Sequence, residues 1–370
     1  MLQGKIRRIA ISTGGGDAPG LNAVIRAVVT SAMNRGWECI GIRDGYHGIL
    51  FPERYAGMGT FLLTREKVRG ITHLGGTILG TTNKGNPMHF PVKQPDGTVK
   101  EVDRTDEIVN YFAMHEIDAL ISIGGDGSLT ISQALVKKGL RVVCVPKTID
   151  NDLDKTVATF GFDTAVTFAT ECLDRLHATA QSHQRIMVVE VMGRYAGWIA
   201  LNAGISGTAH AILIPEIPYD LEKVAEKIRS REQQGRQSTL VVVAEGAVPK
   251  DGTVTVLAKA EGGQEERLGG IGDAVARRLQ EITGKDARST VLGHLLRGGS
   301  PTAQDRLISL RFGAAAVRAL DAGASGIMVA LDPPTVRYVP IEEVAGHMKR
   351  VPLDCDTILT ARDLGISFGD

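Results

Sequence analysis

The chain has 370 residues, 43% hydrophobic and 23% charged, a balance ordinary for globular proteins and a length that suits two lobes of roughly 150 residues each. Lys plus Arg and Asp plus Glu both number 42, so no net charge draws the chain to nucleic acid or an anionic membrane, and any anion site has to be assembled locally from placed cations and backbone amides. No apolar stretch approaches the ~20 residues of a membrane span, and the opening MLQGKIRRIAIST runs into a strand without the pattern of a signal peptide.

In chain order, Val- and Ile-rich runs fall at 6–13, 37–43, 119–123, 141–145, 185–192, 211–217, 239–245, 289–293 and 326–331. They are near-continuous apolar runs, as expected of strands buried on both faces. Helix-like stretches lie between them at 21–35, 105–116, 164–180, 221–232, 272–283 and 305–322, with Gly36 placed to stop the first. Strand–helix alternation predicts an α/β fold with mainly parallel sheets sandwiched by helices. Residues 84–104, KGNPMHFPVKQPDGTVKEVDR, break the rhythm with three prolines and an Asp96–Gly97 turn signal, which reads as a surface excursion carrying a small hairpin. A lobe boundary falls near 154–162. Cys39, Cys144, Cys172 and Cys355 form no CxxC pair, which argues against zinc or a redox dithiol and suits a reducing, cytoplasmic setting. Cys39 and Cys144 sit in strand-like runs and read as buried thiols.

The 44 glycines, about 12% of the chain against roughly 7% on average, gather in short motifs. GGGDAPGLN (14–22) joins the first strand to the first helix, where backbone amides can meet a phosphate; it is neither a GxGxxG turn nor a Walker A loop. GGDGS (124–128) places Asp126 at a strand's carboxyl end, where open α/β sheets bind ligands, and one or two carboxylates with substrate phosphates suffice for magnesium. PKTIDND (146–152) sets Asp150, Asp152 and Asp154 at alternate positions. Lys155 and Gly161 stand where a calcium loop needs Gly and Glu, so paired carboxylates that deprotonate an alcohol fit better, with Lys147 and Thr148 beside the transferring group. EVMGRYAGW (190–198) and RSTVLGHLLRGGSPTAQDR (288–306) set Arg beside Gly, and Arg288, His294 and Arg297 form a basic set suited to a sugar phosphate. Each motif alone also has a plain structural reading as a tight or solvated turn. GGDG turns also occur in NAD kinases and lipid kinases. His73, His177 and His210 read as structural.

Together, GGGDAPGLN, GGDGS, PKTIDND, EVMGRYAGW, AEGA and LGHLLRGGSP, in this order from about Ile6 to beyond Arg306, closely resemble the phosphofructokinase family. The resemblance implies two Rossmann-like lobes: a phosphoryl-donor lobe from 1–160 with part of 296–346, and a sugar-phosphate lobe from 161–295 with 347–370. It implies transfer of the γ-phosphoryl of ATP to the 1-hydroxyl of fructose 6-phosphate, with magnesium on Asp126. The donor would be lined by Gly15, Gly125, Asp126, Gly127 and Ser128, and Asp150 would accept the hydroxyl proton. Thr148 and Asp152 would sit beside Asp150 on the sugar phosphate or the metal. Met192, Gly193 and Arg194 match the sugar-contacting loop, with Arg194 offsetting charge on the transferring group as Arg does in phosphoryl transfer. Glu245 matches a sugar-hydroxyl ligand, and His294 and Arg297 match 6-phosphate ligands. Arg185 and Arg288 match arginines that reach in from a neighbouring subunit, implying a homodimer or homotetramer.

Three departures from the family pattern stand out. Gly127 is the ATP-type residue while Lys147 is the pyrophosphate-type residue, so ATP is favoured on steric room and pyrophosphate is the alternative donor. Asn83 and Lys84 replace the Arg-bearing turn that contacts the nucleotide. Arg26 matches one arginine of the bacterial effector site, but Thr30 stands at the other. A non-catalytic sensor on the same fold would have lost Asp150 or Asp126, and both are present. A dehydrogenase lacks support, because no GxGxxG with a downstream acidic residue occurs.

Overall fold

The computed structural model describes residues 5–252, 256–258 and 267–370. From the N-terminus run β1 (Arg8–Thr13), α1 (Leu21–Met33), β2 (Glu38–Ile42), the single-turn α2 (His47–Leu50), β3 (Thr60–Leu63), β4 (Phe90–Lys93), β5 (Val99–Val102), α3 (Thr105–Met114), β6 (Ala119–Gly124), α4 (Asp126–Lys137) and β7 (Val142–Pro146). Next come α5 (Phe162–His183), β8 (Ile186–Val191), α6 (Trp198–Ser206), β9 (Ala211–Leu213), α7 (Leu221–Gln233), β10 (Thr239–Ala244), β11 (Val256–Ala258), β12 (Arg267–Leu268), α8 (Ile271–Thr283) and β13 (Ala287–Val291). The chain closes with α9 (Ala303–Asp321), β14 (Ile327–Asp332), β15 (Thr335–Pro340) and α10 (Asp356–Asp363).

Seven strands form one sheet in the order β15-β14-β7-β6-β1-β2-β3. Its five inner strands are parallel, and the edges β3 and β15 are antiparallel. Four parallel strands form a second sheet, β13-β8-β10-β9. The inner strands bury both faces. In β1, Ile9 and Ile11 face α1 and α9 while Ala10 faces the opposite core with Phe112 and Leu129. The second sheet is covered on one face by α5, α6 and α10 and on the other by α7 and α8. Helices α1 and α9 cross closely because residue 313 is glycine: a Cβ there would lie 2.7 Å from the Val24 carbonyl oxygen.

The strand order decides where a ligand can sit. From β1 the connections run outward to β2 and β3, and from β6 they run the other way to β7 and β14. β1 and β6 are neighbours, so a crevice opens beyond their carboxyl ends, the topological switch point at which such sheets bind ligands. In the second sheet β8 has β10 on one side and β13 on the other, and the loops leaving all three emerge at that sheet's carboxyl edge.

Every predicted strand and helix is present, with ends shifted by a few residues. The largest change is β9, which stops at Leu213 rather than 217 because Pro215 cannot donate to a ladder. Strand β13 begins two residues earlier than expected, at Ala287, and ends at Val291 before a tight 3₁₀ turn over Gly293–Arg297. The excursion at 84–104 carries the antiparallel hairpin β4–β5, with Gly97 at φ 85° in its turn. Arg104 closes that excursion: its amide donates to the Pro87 carbonyl (2.7 Å) and its guanidinium lies over Phe51 and Phe90. Cys39 and Cys144 are buried, and burial pushes both thiols up to about 12.

Candidate active site

Two glycine turns face each other across the switch point. The Gly14 amide donates to the Ile123 carbonyl (3.0 Å), joining the end of β1 to the end of β6. Gly15, at φ 77°, donates to the Thr82 carbonyl (3.0 Å) and accepts from the Thr81 hydroxyl (2.6 Å). The loop that carries exposed Asn83 and Lys84 is thereby sewn to the first turn. The buried Asn22 fixes the same loop from behind: its Oδ1 accepts from the Ile78 amide (2.8 Å) and its Nδ2 donates to the Leu74 and Gly75 carbonyls. Ser128 sits against both turns, since a Cβ on Gly14 or Gly124 would come within 2.7 or 2.1 Å of its hydroxyl. Around Gly127 there is nothing within 4 Å of a built Cβ. Asp126 opens α4, and its Oδ1 accepts from the Gly346 amide (2.7 Å).

The loop after β7 brings the carboxylates. The Asp150 amide donates to the Thr148 hydroxyl (3.0 Å), and the Thr159 hydroxyl donates to the Thr148 carbonyl (2.7 Å). Burial first, and the Asp152 carboxylate second, push Asp150 up to about 6; Arg297 and Lys147 pull against that rise. Asp152 is also raised, by burial and more weakly by the charge of Asp126. Lys147 is buried, its ammonium donates to the Gly16 carbonyl (2.5 Å), and burial lowers it to about 8. Asp126 and Asp152 offer hard carboxylate oxygens, and one or two such carboxylates beside substrate phosphates are the donors magnesium takes. Among the described residues no group of three or more His, Cys, Asp and Glu gathers as a metal site.

The second sheet supplies the opposite wall. Met192, Gly193 and Arg194 leave β8, with Gly193 at φ 142° and Arg194 over the Tyr195 ring at 4.9 Å. Glu245 leaves the adjacent β10, and burial, followed by the charge of Asp150, pushes it up to about 7. His294 and Arg297 share the 3₁₀ turn after β13. His294 is exposed, whereas Arg297 reaches across to the first turn, donates to the Asp17 carbonyl (3.2 Å) and lies against Gly16.

Arg185 and Arg288 are not part of this cluster. They stand at the beginning of β8 and beside the beginning of β13, whereas Arg194 follows the end of β8, about 20 Å further along at 3.3 Å per residue. Both pair with Asp286, Arg185 through Nε at 2.5 Å. Sequence reasoning missed Asn22, Gly246 and Lys349 as supports of the site. Asn22 and Gly246 lie inside quoted motifs, but Lys349 carries no local signal.

Two glycine turns for phosphates, a carboxylate poised near neutrality and cations converging from both sheets define a phosphoryl-transfer enzyme on paired doubly wound sheets. The Phosphofructokinase family model matches residues 8–320, and the chain belongs to that family. It is 51% identical over 369 residues, covering 100% of this chain and 99% of the relative, to the ATP-dependent 6-phosphofructokinase of Chloroflexus aurantiacus. It is 48% identical over 99% of both chains to ATP-dependent 6-phosphofructokinase 2 of Clostridium perfringens. The T-state crystal structure of Pichia pastoris phosphofructokinase matches with a TM-score of 0.78 at 30% identity, covering 100% of this chain, which spans 37% of that longer chain.

Proposed function

We infer that the chain is an ATP-dependent 6-phosphofructokinase, moving the γ-phosphoryl of ATP to the 1-hydroxyl of fructose 6-phosphate. The observation that carries this reading is Asp150. It follows β7 beside the glycine turns, close enough to Glu245 of the other sheet for its charge to raise that carboxyl, and its own pKa is raised to about 6. A carboxylate there is basic enough to accept a hydroxyl proton and still ionised at neutral pH. Gly15, Gly125, Gly127 and Ser128 would line the donor phosphates, with Asn83 and Lys84 at the rim. Asp126 and Asp152 would hold magnesium, which when bound offsets charge on the donor phosphates. Thr148 orients Asp150. Arg194 would offset charge on the transferring group, Met192, Gly193 and Glu245 would contact the sugar, and Arg297 with His294 would take its 6-phosphate. Arg185 and Arg288, remote within one chain, would serve a neighbour's site in a homodimer or homotetramer. The lobe assignment follows: 1–160 with part of 296–346 for the donor, 161–295 with 347–370 for the sugar phosphate. The buried thiols suit a cytoplasmic enzyme, and among the described residues no helix is long and apolar enough to cross a membrane.

On the donor, the relatives cited above are named for ATP, and open space at Gly127 agrees with them. Lys147 donates to the Gly16 carbonyl, so its ammonium helps to hold the turn. The test is turnover of fructose 6-phosphate with ATP or with pyrophosphate. ATP-driven formation of fructose 1,6-bisphosphate is expected. Pyrophosphate-only turnover would overturn the donor assignment, and no turnover with either would overturn the enzyme reading.

A further inference from the structure

After β15 the chain runs beside Asp126 and the loop that carries Asp150 and Asp152, and then meets residues of the second sheet's loops. Gly346 meets Asp126, and Met348 bridges Leu153. The Lys349 amide donates to the Asp152 carbonyl (2.8 Å), while the Trp198 indole, from the EVMGRYAGW motif, donates to the Lys349 carbonyl (2.9 Å). The Val351 amide then reaches Glu216 Oε1 (2.9 Å), which also accepts from the Gly197 amide (3.1 Å).

One side chain does most of the holding. The Lys349 ammonium donates to Asn151 Oδ1 (3.0 Å), the Thr156 carbonyl (2.8 Å) and the Val157 carbonyl (3.2 Å). An ammonium has three donors, and all three go to one loop. That loop carries Asp150 and Asp152, and it holds two non-glycine residues in the left-handed region, Asn151 at φ 52° and Lys155 at φ 61°. Such conformations cost energy and persist when their surroundings over-determine them.

We propose that Lys349 is a positioning residue for phosphoryl transfer: its ammonium pins the 150–157 loop in its left-handed path, so that the Asp150 and Asp152 carboxylates face the glycine turns. The proposal rests on the reading of Asp150 as the base. The loop has no regular ladder of its own beyond single bridges at Lys147 and Leu153. Removing the ammonium leaves the Thr156 and Val157 carbonyls without their partner and Asn151 Oδ1 with only its bonds from Thr159, and the strained segment then relaxes.

The test compares Lys349→Met and Lys349→Arg with the parent enzyme, each purified and assayed with magnesium, ATP and fructose 6-phosphate. The parent's own turnover tests the reading of function, and the ratio of variant to parent tests the role of Lys349. A displacement of about 1 Å at a reacting group costs about 100-fold in rate. Lys349→Met is therefore expected to lose kcat on that order while both KM values stay within about threefold, and Lys349→Arg to recover most of the loss. A general loss of stability would also lower the apparent kcat at unchanged KM, so kcat is expressed per folded protein, with the folded fraction of each variant measured by circular dichroism and thermal melting. A loss that disappears on this scale would overturn the proposal. A folded Lys349→Met variant with kcat within about threefold of the parent would overturn the proposal. If Lys349→Met does not fold, Asn151→Gly decides together with Thr159→Val. Asn151 Oδ1 serves both Lys349 (3.0 Å) and Thr159 (amide, 3.1 Å), glycine keeps the positive φ, and Thr159→Val measures what loss of the Thr159 hydroxyl does alone. A fall in kcat at constant KM that is greater in Asn151→Gly than in Thr159→Val supports the proposal, and no such excess overturns it.

Discussion

At Asp150, burial and the Asp152 charge outweigh the pull of Arg297 and Lys147, and the carboxyl rests near 6. The sign follows from that rise. The unfolded carboxyl ionises near 4, so between about pH 4 and 6 the folded chain binds more protons than the unfolded one, and stability falls as pH rises through that window. At neutral pH the ionised group costs on the order of 3 kcal/mol. Asp150→Asn should raise the melting temperature at pH 7.5, give no gain at pH 4, and lose orders of magnitude in kcat; equal melting temperatures at pH 7.5 would show that the carboxylate is not strained. Parent kcat/KM should rise with pH through about 6, because the base of the free enzyme works only when ionised. Gly127 tests a different quantity. Its open surroundings mean that Gly127→Asp should fold normally, so lower ATP turnover with any pyrophosphate turnover unchanged would trace to the ligand alone; ATP turnover that survives would refute the steric argument. Asp126 stood out in the sequence as a carboxylate among glycines, and Asp150 as the first of three carboxylates at alternate positions. Lys349 did not, because its partners lie almost 200 residues away and are mostly backbone oxygens.

At the level of elements, the inner parallel strands were legible because burial on both faces leaves only apolar residues. The edge strands β3 and β15 were missed: β3, TFLL, is only four residues long, and β15 mixes exposed residues such as Arg337 and Tyr338 with apolar ones. Helix α6 was missed because it is largely enclosed and shows no polar stripe from which to read a period. Helix α4 was implied by its strand–turn–helix setting, but its bounds were hidden by the glycines at its start. Between elements, glycine sets the approach of two loops. A Cβ on Gly246 would lie 1.8 Å from the Arg194 carbonyl oxygen, and backbone cannot swing aside as a side chain can. Gly246→Ala should therefore displace the Arg194 loop and lower kcat by about 100-fold, with circular dichroism and oligomeric state unchanged. Turnover within threefold of the parent would mean that the loop does not need this approach.

At the scale of the molecule, the two sheets turn their carboxyl edges towards one site, and Arg297 crosses from one to the other. The alternation of strands and helices made both sheets legible, but not how they face each other, since that depends on side chains meeting across loops. The far ends of β8 and β13 raise the last question. Arg185 and Arg288 share Asp286 there, about 20 Å from Arg194 along the strand. A part-exposed charge that far away lies beyond the ~8 Å screening length at physiological salt, so neither arginine is placed to act on its own chain's phosphoryl group. If they serve a neighbour, catalysis is a property of the oligomer, and two defective subunits can repair one another. Asp150→Ser lacks the base but offers a normal Arg185; Arg185→Ala lacks the arginine but keeps the base. Each variant alone should turn over poorly. Co-expressed or denatured and refolded together, they should form hybrids in which some sites draw Asp150 from one chain and Arg185 from the other, and activity should reappear above the sum of the separate variants. Mixtures that stay at that sum, with hybrids verified by mass, would place Arg185 outside the reaction and leave its pairing with Asp286 as its whole role.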